Sequence, residues 1–274
     1  MDGQVQAGLG SKIDVATAHP ARRYDYWLGG KDNFPADRQS GDEIAAVKPS
    51  VWLWARENRA YLQRVVTYLT EEAGIRQFLD VGTGLPTANN THEVAQSLAP
   101  ESKVVYVDND PLVLVHARAL LTSSAEGATS YIEADLRRPG EILADPELTR
   151  VLDLSEPVAL LLFAIVHFVP DEDGDPYEMV RHLVDALPSG SYLAMSHVTA
   201  DFLPPQDEDA LLGISQRQRD PFVMRSRNQV AAFFGGLELV DPGVAIISEW
   251  RRPETDALPD PADIGCYGAV ARKP

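Results

Sequence analysis

Arg76-Gln-Phe-Leu-Asp-Val-Gly-Thr-Gly-Leu-Pro-Thr87 decides how the chain is read. An apolar run rich in strand formers ends at Val81, and Gly82 and Gly84 break it. Residues 89–98 follow with the pattern of a short helix, capped by Asn89 or Asn90. Strand, glycine turn and helix in that order open a nucleotide-binding βαβ unit. Lacking a Cβ, the two glycines let the backbone come close to a ligand. The helix N-terminus behind them is expected to offer unpaired N–H groups and a partial positive charge.

The residue ahead of the glycines narrows the ligand. In the dinucleotide fingerprint G-x-G-x-x-G the third glycine permits close helix–strand packing. Here Thr87 stands at that position, and an acid, Asp80, sits two residues before Gly82. A carboxylate at a strand end repels a pyrophosphate. It suits a ligand that carries an ammonium and a sulfonium, and S-adenosylmethionine carries both. The competing explanation is a plain strand–turn–helix whose glycines serve only the turn.

Composition sets the outer bounds. The chain has 274 residues, of which 45% are hydrophobic, enough for one large α/β domain with an elaborated edge or two small domains. It contains no run of 18 apolar residues and no basic segment leading into a short apolar one, which argues against a membrane span or a secretion signal. The single Cys266 excludes an intrachain disulfide, and the simple expectation is a cytoplasmic protein. Lys and Arg total 24 against 41 Asp and Glu, a formal charge of −17. A nucleic-acid binder needs a basic footprint. Even with arginine-rich stretches at 22–23 and 217–227, DNA and RNA are not the expected partners.

The first 18 residues are small, polar and aperiodic, and are expected to be disordered. Residues 19–38 then crowd Tyr24, Tyr26, Trp27 and Phe34 into one short window with Gly29-Gly30. Either these aromatics pack onto the core or they close over a ligand. A helix over 21–28 stopped by the glycine pair fits both readings. Residues 51–73 read as a long amphipathic helix with Trp54, Asn58, Tyr61, Leu62, Val65, Val66 and Leu69 on one face and Gly74 as its stop. Residues 1–50 are therefore taken as an N-terminal extension or lid, and 51–274 as the main domain.

Beyond the glycine turn, strands alternate with helices. Strands are expected at 103–107, 129–134, 157–169 and 191–197, and helices at 111–121, 177–187, 207–218 and 226–234. The 157–169 run is continuously apolar, as suits a central strand buried on both faces. Two closing strands at 237–240 and 265–271 lack βα spacing and are expected to pair as an antiparallel hairpin. The fold class is α/β: a doubly wound, mostly parallel seven-stranded sheet with an antiparallel last strand and an N-terminal helical extension.

In such a sheet, ligands bind at the carboxyl ends of the strands near the switch point. That brings together Asp80, Gly82, Thr83 and Gly84 after the first strand, Asp108 and Asn109 after the second, and Asp135 and Leu136 after the third, with His167 near the end of the fourth. An acid closing strand two suits both ribose hydroxyls, and one closing strand three can accept from an adenine amino group. One Asp in a loop means little. Acids at three successive strand ends mean much more.

With those residues in place the chain resembles the class I S-adenosylmethionine-dependent methyltransferases, whose fold is Rossmann-like. It is more closely similar to a large actinobacterial family of them (DUF574-like). The segments that carry the resemblance are Ala21-Arg-Arg-Tyr-Asp-Tyr-Trp-Leu-Gly-Gly-Lys-Asp-Asn-Phe34, Phe78-Leu-Asp-Val-Gly-Thr-Gly-Leu-Pro-Thr87, His92-Glu-Val-Ala-Gln96, Val105-Tyr-Val-Asp-Asn-Asp-Pro111 and Ser191-Tyr-Leu-Ala-Met-Ser-His197. They run from about residue 19 to the last strand, nearly the whole chain. The resemblance implies that Asp80, Gly82 and Gly84 form the cofactor loop, that Asp108 takes the ribose and that Asp135 takes the adenine. Where the superfamily's first motif has a further glycine this chain has Pro86, which puts the contacts after Gly84 in question.

The implied reaction moves a methyl group from S-adenosylmethionine to an O or N atom of a small-molecule acceptor, leaving S-adenosylhomocysteine. A protonated acceptor needs a base, and His167 is the first candidate, with His197 at the end of strand five the second. Either can equally be a hydrogen-bonded structural histidine. His92, His116 and His182 fall inside helices and read as packing or surface residues, and no His/Cys/Asp spacing resembles a metal site. Tyr24, Asp25, Lys31 and Asn33 can form a lid over the cofactor, whose carboxylate needs a cation from Lys31, Arg22 or Arg59. Residues 199–227 either shape the acceptor pocket or form a variable surface loop. Two other readings stay open. An NAD-dependent oxidoreductase is disfavoured by Asp80 and Thr87, and a cofactor sensor without transfer activity would be marked by loss of the cofactor acids, all of which are present.

Overall fold

The computed structural model describes residues 14–120, 123–253 and 255–274. Of the stretch expected to be disordered, 1–13 lies outside the described residues, and 15–17 form a bend. Three helices precede the sheet: α1 (Pro20–Trp27), α2 (Pro35–Val47) and α3 (Val51–Glu71). The face expected of α3 is buried along its whole length, from Trp54 through Asn58, Tyr61, Leu62, Val65 and Val66 to Leu69. The first helix ends at the expected glycine pair. The second follows Pro35 and was not anticipated, because its sequence is largely polar and small.

Strands and helices then alternate as β1 (Gln77–Val81), α4 (Thr91–Leu98), β2 (Lys103–Asp108), α5 (Pro111–Leu120), β3 (Ala128–Glu133), α6 (Pro139–Ala144), α7 (Pro146–Val151), β4 (Ala159–Phe163), α8 (Pro176–Asp185) and β5 (Tyr192–Val198). After α9 (Pro205–Ser215) and α10 (Arg227–Ala232) come β6 (Glu238–Leu239), β7 (Ala245–Ile246), α11 (Pro261–Ile264) and β8 (Cys266–Arg272). The sheet order is β3-β2-β1-β4-β5-β8-β6, with β7 also pairing to β8. The first five neighbours in that order are parallel, and β8 runs antiparallel to β5, β6 and β7.

The mostly parallel, doubly wound plan is thus present, with one strand more than the seven expected. The closing pair β6 and β8 is antiparallel, but β7 and α11 intervene, so the two are not a simple hairpin. The fourth strand is shorter than its apolar run. It stops at Phe163, Ala164 turns into the left-handed region at φ 53°, and Val166–Phe168 form a single 3-10 turn. An apolar run reports burial, and here the buried chain leaves the sheet while staying inside the molecule.

β1 and β4 are buried at every residue, as strands covered on both faces must be. The strand order reverses between them, so their carboxyl ends splay apart and leave a crevice. No helix among the described residues is long and apolar enough to cross a membrane.

Candidate active site

The crevice is an open cleft enclosing about 1060 Å³ with its mouth. Asp80, Gly82, Thr83 and Gly84 line it from the end of β1, Asp108 and Asn109 from β2, and Asp135 and Leu136 from β3. From the N-terminal extension come Arg23, Tyr24 and Trp27 of α1, and α3 adds Trp54, Asn58 and Arg59. Lys31 is exposed and does not line the cleft.

Gly82 is set by two independent constraints. Its φ is +76°, and a Cβ there would lie 2.4 Å from the Ile165 side chain. Its N–H and that of Thr83 both donate to the Val107 carbonyl, at 2.8 and 3.2 Å. The Gly84 N–H donates to Oδ2 of Asp108 at 2.7 Å. The loop therefore spends its donors on the protein. The helix behind it does the same: α4 begins only at Thr91, and the His92 N–H donates to the Tyr106 hydroxyl at 2.8 Å. Upstream, the Asn90 N–H donates to Glu93 at 2.7 Å. The open, positive helix end expected from the sequence is closed by these partners. This loop is built for a ligand other than a pyrophosphate.

The acids are left to meet the ligand. Asp80 is 4% exposed, and the Thr91 hydroxyl donates to its Oδ2 at 2.6 Å. Burial pushes its carboxyl up to about 6, against the lowering effect of Thr91 and of the Arg59 guanidinium. A buried carboxylate held up in this way gains from a cation brought beside it. Burial likewise raises Asp108, offset by His19 and by the backbone donors of Asp110 and Gly84. Asp135 accepts from Asn109 Nδ2 at 3.1 Å and from the Arg137 N–H at 2.9 Å.

The signature around Gly29-Gly30 serves two purposes. Asp25 Oδ2 accepts from the Asp32 N–H at 3.0 Å and from Asn33 Nδ2 at 2.8 Å. A Cβ on Gly30 would fall within the Asp25 carboxylate. Asp25, Gly30 and Asn33 thus lock the turn between α1 and α2. Tyr24 and Trp27 meanwhile pack against Trp54 edge-on, with ring centroids 5.5 and 5.9 Å away. The aromatics both pack and line the cleft, so the two sequence readings are compatible.

Several contacts enter that sequence reasoning missed. Arg22 Nε lies 3.1 Å from Asp110 Oδ2, and both side chains are buried, which ties α1 to the end of β2. Asn58 donates to the Tyr24 hydroxyl at 3.0 Å, and the Ser196 hydroxyl donates to Asn58 Oδ1 at 2.7 Å. A polar side chain on an otherwise apolar helix face was the available signal for Asn58. Arg59 donates to the carbonyls of Ala88 and Asn89 at 3.2 and 2.9 Å, holding the loop that follows the glycines.

The two histidines stand apart from the cleft lining. His197 is fully buried, its Nδ1 donates to the Val198 carbonyl at 2.8 Å, and its Nε2 accepts from Arg225 at 3.0 Å. Burial drives its pKa down to about 3. His167 is buried in the turn after β4 with its ring centroid 5.7 Å from that of His197, and it lines a neighbouring cavity. Burial, His197, Arg23 and Arg225 all push its pKa well below 6.5.

Comparison with known proteins agrees with this geometry. A family model described as S-adenosyl methyltransferase matches residues 6–274. A DUF574 family protein from Streptomyces avermitilis is 50% identical, with 96% of this chain and 100% of that one covered at a TM-score of 0.91. A candidate methyltransferase from Thermobifida fusca is 40% identical over 97% of both chains, with a TM-score of 0.86. Magnesium protoporphyrin IX methyltransferase from Synechocystis, whose crystals contain S-adenosylhomocysteine, shares the fold at 11% identity and a TM-score of 0.52, covering 92% of this chain and 93% of that one. No curated protein matches the chain. Its full-length match and its two near relatives make the chain a member of the S-adenosyl methyltransferase family, an S-adenosylmethionine-dependent methyltransferase with a Rossmann-like fold.

Proposed function

We propose that this enzyme methylates an oxygen or nitrogen atom of a small-molecule acceptor, and that the strand-end acids hold its cofactor. The observation that carries the cofactor assignment is the convergence of Asp80, Asp108 and Asp135 on one cleft whose glycine loop keeps its own donors occupied. Asp80 takes the ammonium end. Arg59 takes the carboxylate, since it lines the cleft and its charge acts on Asp80, whereas Arg22 is bound to Asp110 and Lys31 lies outside the lining. Asp108 accepts from the ribose hydroxyls through lone pairs its backbone donors leave free, with Asn109 beside it. Asp135 and Leu136 take the adenine, and Thr83 and Tyr24 shape the walls.

The bound cofactor supplies a methyl group already activated on a sulfonium. The chain's part is to hold the acceptor in line with it and exclude water, an orienting effect that can amount to about 7–11 kcal/mol. A small acceptor is favoured by the charge of −17, which opposes a polyanionic partner such as nucleic acid. The same reading leaves the membrane without a part and sets the protein in the cytoplasm, in keeping with its single, buried, unpaired cysteine. Residues 1–50 act in it as the lid and 51–274 as the catalytic domain.

Calorimetric titration with S-adenosylmethionine, S-adenosylhomocysteine and NAD tests the cofactor assignment. Binding of the first two should weaken at least about tenfold in Asp80→Asn and in Arg59→Ala. Unchanged affinity in both variants would remove these residues from the site.

A further inference from the structure

A second cavity, enclosing about 570 Å³ with its mouth, lies beside the cofactor cleft. Arg23, Trp27, Trp54 and Phe168 line both spaces, so the two share a wall. The far side is apolar, with Ile44 from α2, Leu211 from α9, and Phe222 and Met224 from the segment beyond α9. Three buried polar atoms of its lining residues have no hydrogen-bond partner among the described residues: Nδ1 of His167, Nε of Arg23 and Nε1 of Trp54. Its apolar walls give a water cluster few partners.

Arg23 is 2% exposed and is held by neutral groups, its Nη1 donating to Ser40 Oγ at 3.1 Å and to Gln218 Oε1 at 2.8 Å. The acids that influence it, Asp220 and Asp37, act through space. A buried guanidinium without a contacting carboxylate attracts an oxygen that gains negative charge. The His167 ring centroid lies 4.3 Å from that of Phe168, and burial, with His197, Arg23 and Arg225, keeps its imidazole neutral, leaving the unpartnered Nδ1 as a hydrogen-bond site. Lys48, the other cation on the lining, donates to the Ala262 carbonyl at 2.6 Å.

We propose that this chamber is the methyl-acceptor site, and that it takes a compact aromatic molecule through a phenolic hydroxyl set between Arg23 and His167. A carboxylic acid would arrive already ionised and leave the imidazole without a task. A hydroxyl uses both groups. As the acceptor oxygen bonds to the methyl carbon, the carbon–sulfur bond breaks with its electron pair left on sulfur. The hydroxyl proton passes to His167 and on to water, while Arg23 stabilises the charge that grows on oxygen. Trp27, Trp54 and Phe168 offer flat faces to an aromatic ring.

The assignment rests on the cofactor reading of the cleft, and the experiment separates the two. S-adenosylhomocysteine is first titrated into the full chain by calorimetry. p-Cresol, 1-naphthol and toluene are then titrated into the loaded protein. The phenols should bind about tenfold more tightly than toluene. His167→Phe should reduce that preference, and Met224→Trp should abolish phenol binding while S-adenosylhomocysteine affinity stays within about twofold. If Met224→Trp does not fold, the phenol–toluene comparison in the unaltered protein and in His167→Phe decides. The chamber assignment is overturned if S-adenosylhomocysteine binds but neither phenol does, if toluene binds equally well, or if phenol binding survives Met224→Trp. Failure of S-adenosylhomocysteine itself to bind would overturn the cleft reading, and the acceptor assignment would fall with it.

Discussion

Asn58 Oδ1 accepts a hydrogen bond from Ser196 Oγ at 2.7 Å, joining residues 138 positions apart in sequence. The same Ser196 hydroxyl accepts from the Ala164 N–H at 2.9 Å, and Asn58 Nδ2 donates to Tyr24 at 3.0 Å. One buried amide thus connects α1, α3, β5 and the left-handed turn after β4. Asn58→Ala takes the acceptor from the buried Ser196 hydroxyl, while Tyr24 keeps its bond to the Ala55 carbonyl, and should cost about 1–3 kcal/mol in urea unfolding. Ser196→Ala added to it should cost less than the separate effects together, because the two share a bond. Full additivity would show that the network has no cooperative role.

Asp80 predicts opposite pH trends for stability and for binding. Its carboxyl is raised from 3.8 to about 6 by burial. The stability it confers is complete below its unfolded value and is lost as pH rises through about 6. Asp80→Asn should therefore be more stable than the unaltered protein at about pH 8, by on the order of 2–3 kcal/mol, with the gap closing near pH 4. Cofactor binding needs the ionised form, so S-adenosylhomocysteine affinity should fall as pH drops below about 6. Thermal denaturation and calorimetry across that range read the two trends. Parallel trends would contradict the assignment.

Arg22 and Asp110 form a buried pair at 3.1 Å that closes α1 onto the sheet. Removing Arg22 leaves Asp110 with the His19 ring nitrogen at 3.2 Å, so the cost should fall below the roughly 3–5 kcal/mol of a fully stranded buried charge. Arg22→Ala should speed amide exchange across Pro20–Trp27 more than across β1 or β4. Uniform acceleration over the whole sheet would mean the pair supports the global fold rather than the docking of α1.

Gly82→Ala combines two penalties, a non-glycine residue at φ +76° and a close approach to Ile165. The backbone part alone is of order 1–3 kcal/mol. Ile165→Ala in the same chain should recover the steric part and leave the backbone part. Full recovery in the double variant, measured by denaturation, would show that the conformation at Gly82 carries no strain.

Residues whose positions follow from strand periodicity were legible in the sequence. Asp80, Asp108 and Asp135 each lie at or just beyond a β-strand end, and a parallel sheet brings such ends together whatever else the chain does. What could not be read depends on contacts between distant segments. Arg22 and Asp110 carry no mutual signal across 88 positions, and Asn58 looked only like a flaw in an apolar stripe. The apolar run at 157–169 announced burial without showing that the chain would turn at Ala164. The start of α4 at Thr91 agrees with the Asn90 cap, but the capture of nearby donors by Glu93 and Tyr106 was not foreseen.

The placement of β8 bears on how the protein is made. Residues 266–272 pair with β5 on one side and with β6 and β7 on the other. While a ribosome is still producing those residues, the outer flank of β5 has no neighbour, and the short segments meant to lie beyond β8 have nothing to dock on. Until residues 266–272 have emerged the nascent chain carries that bare edge, so a stall before them would leave it open to pairing with other chains.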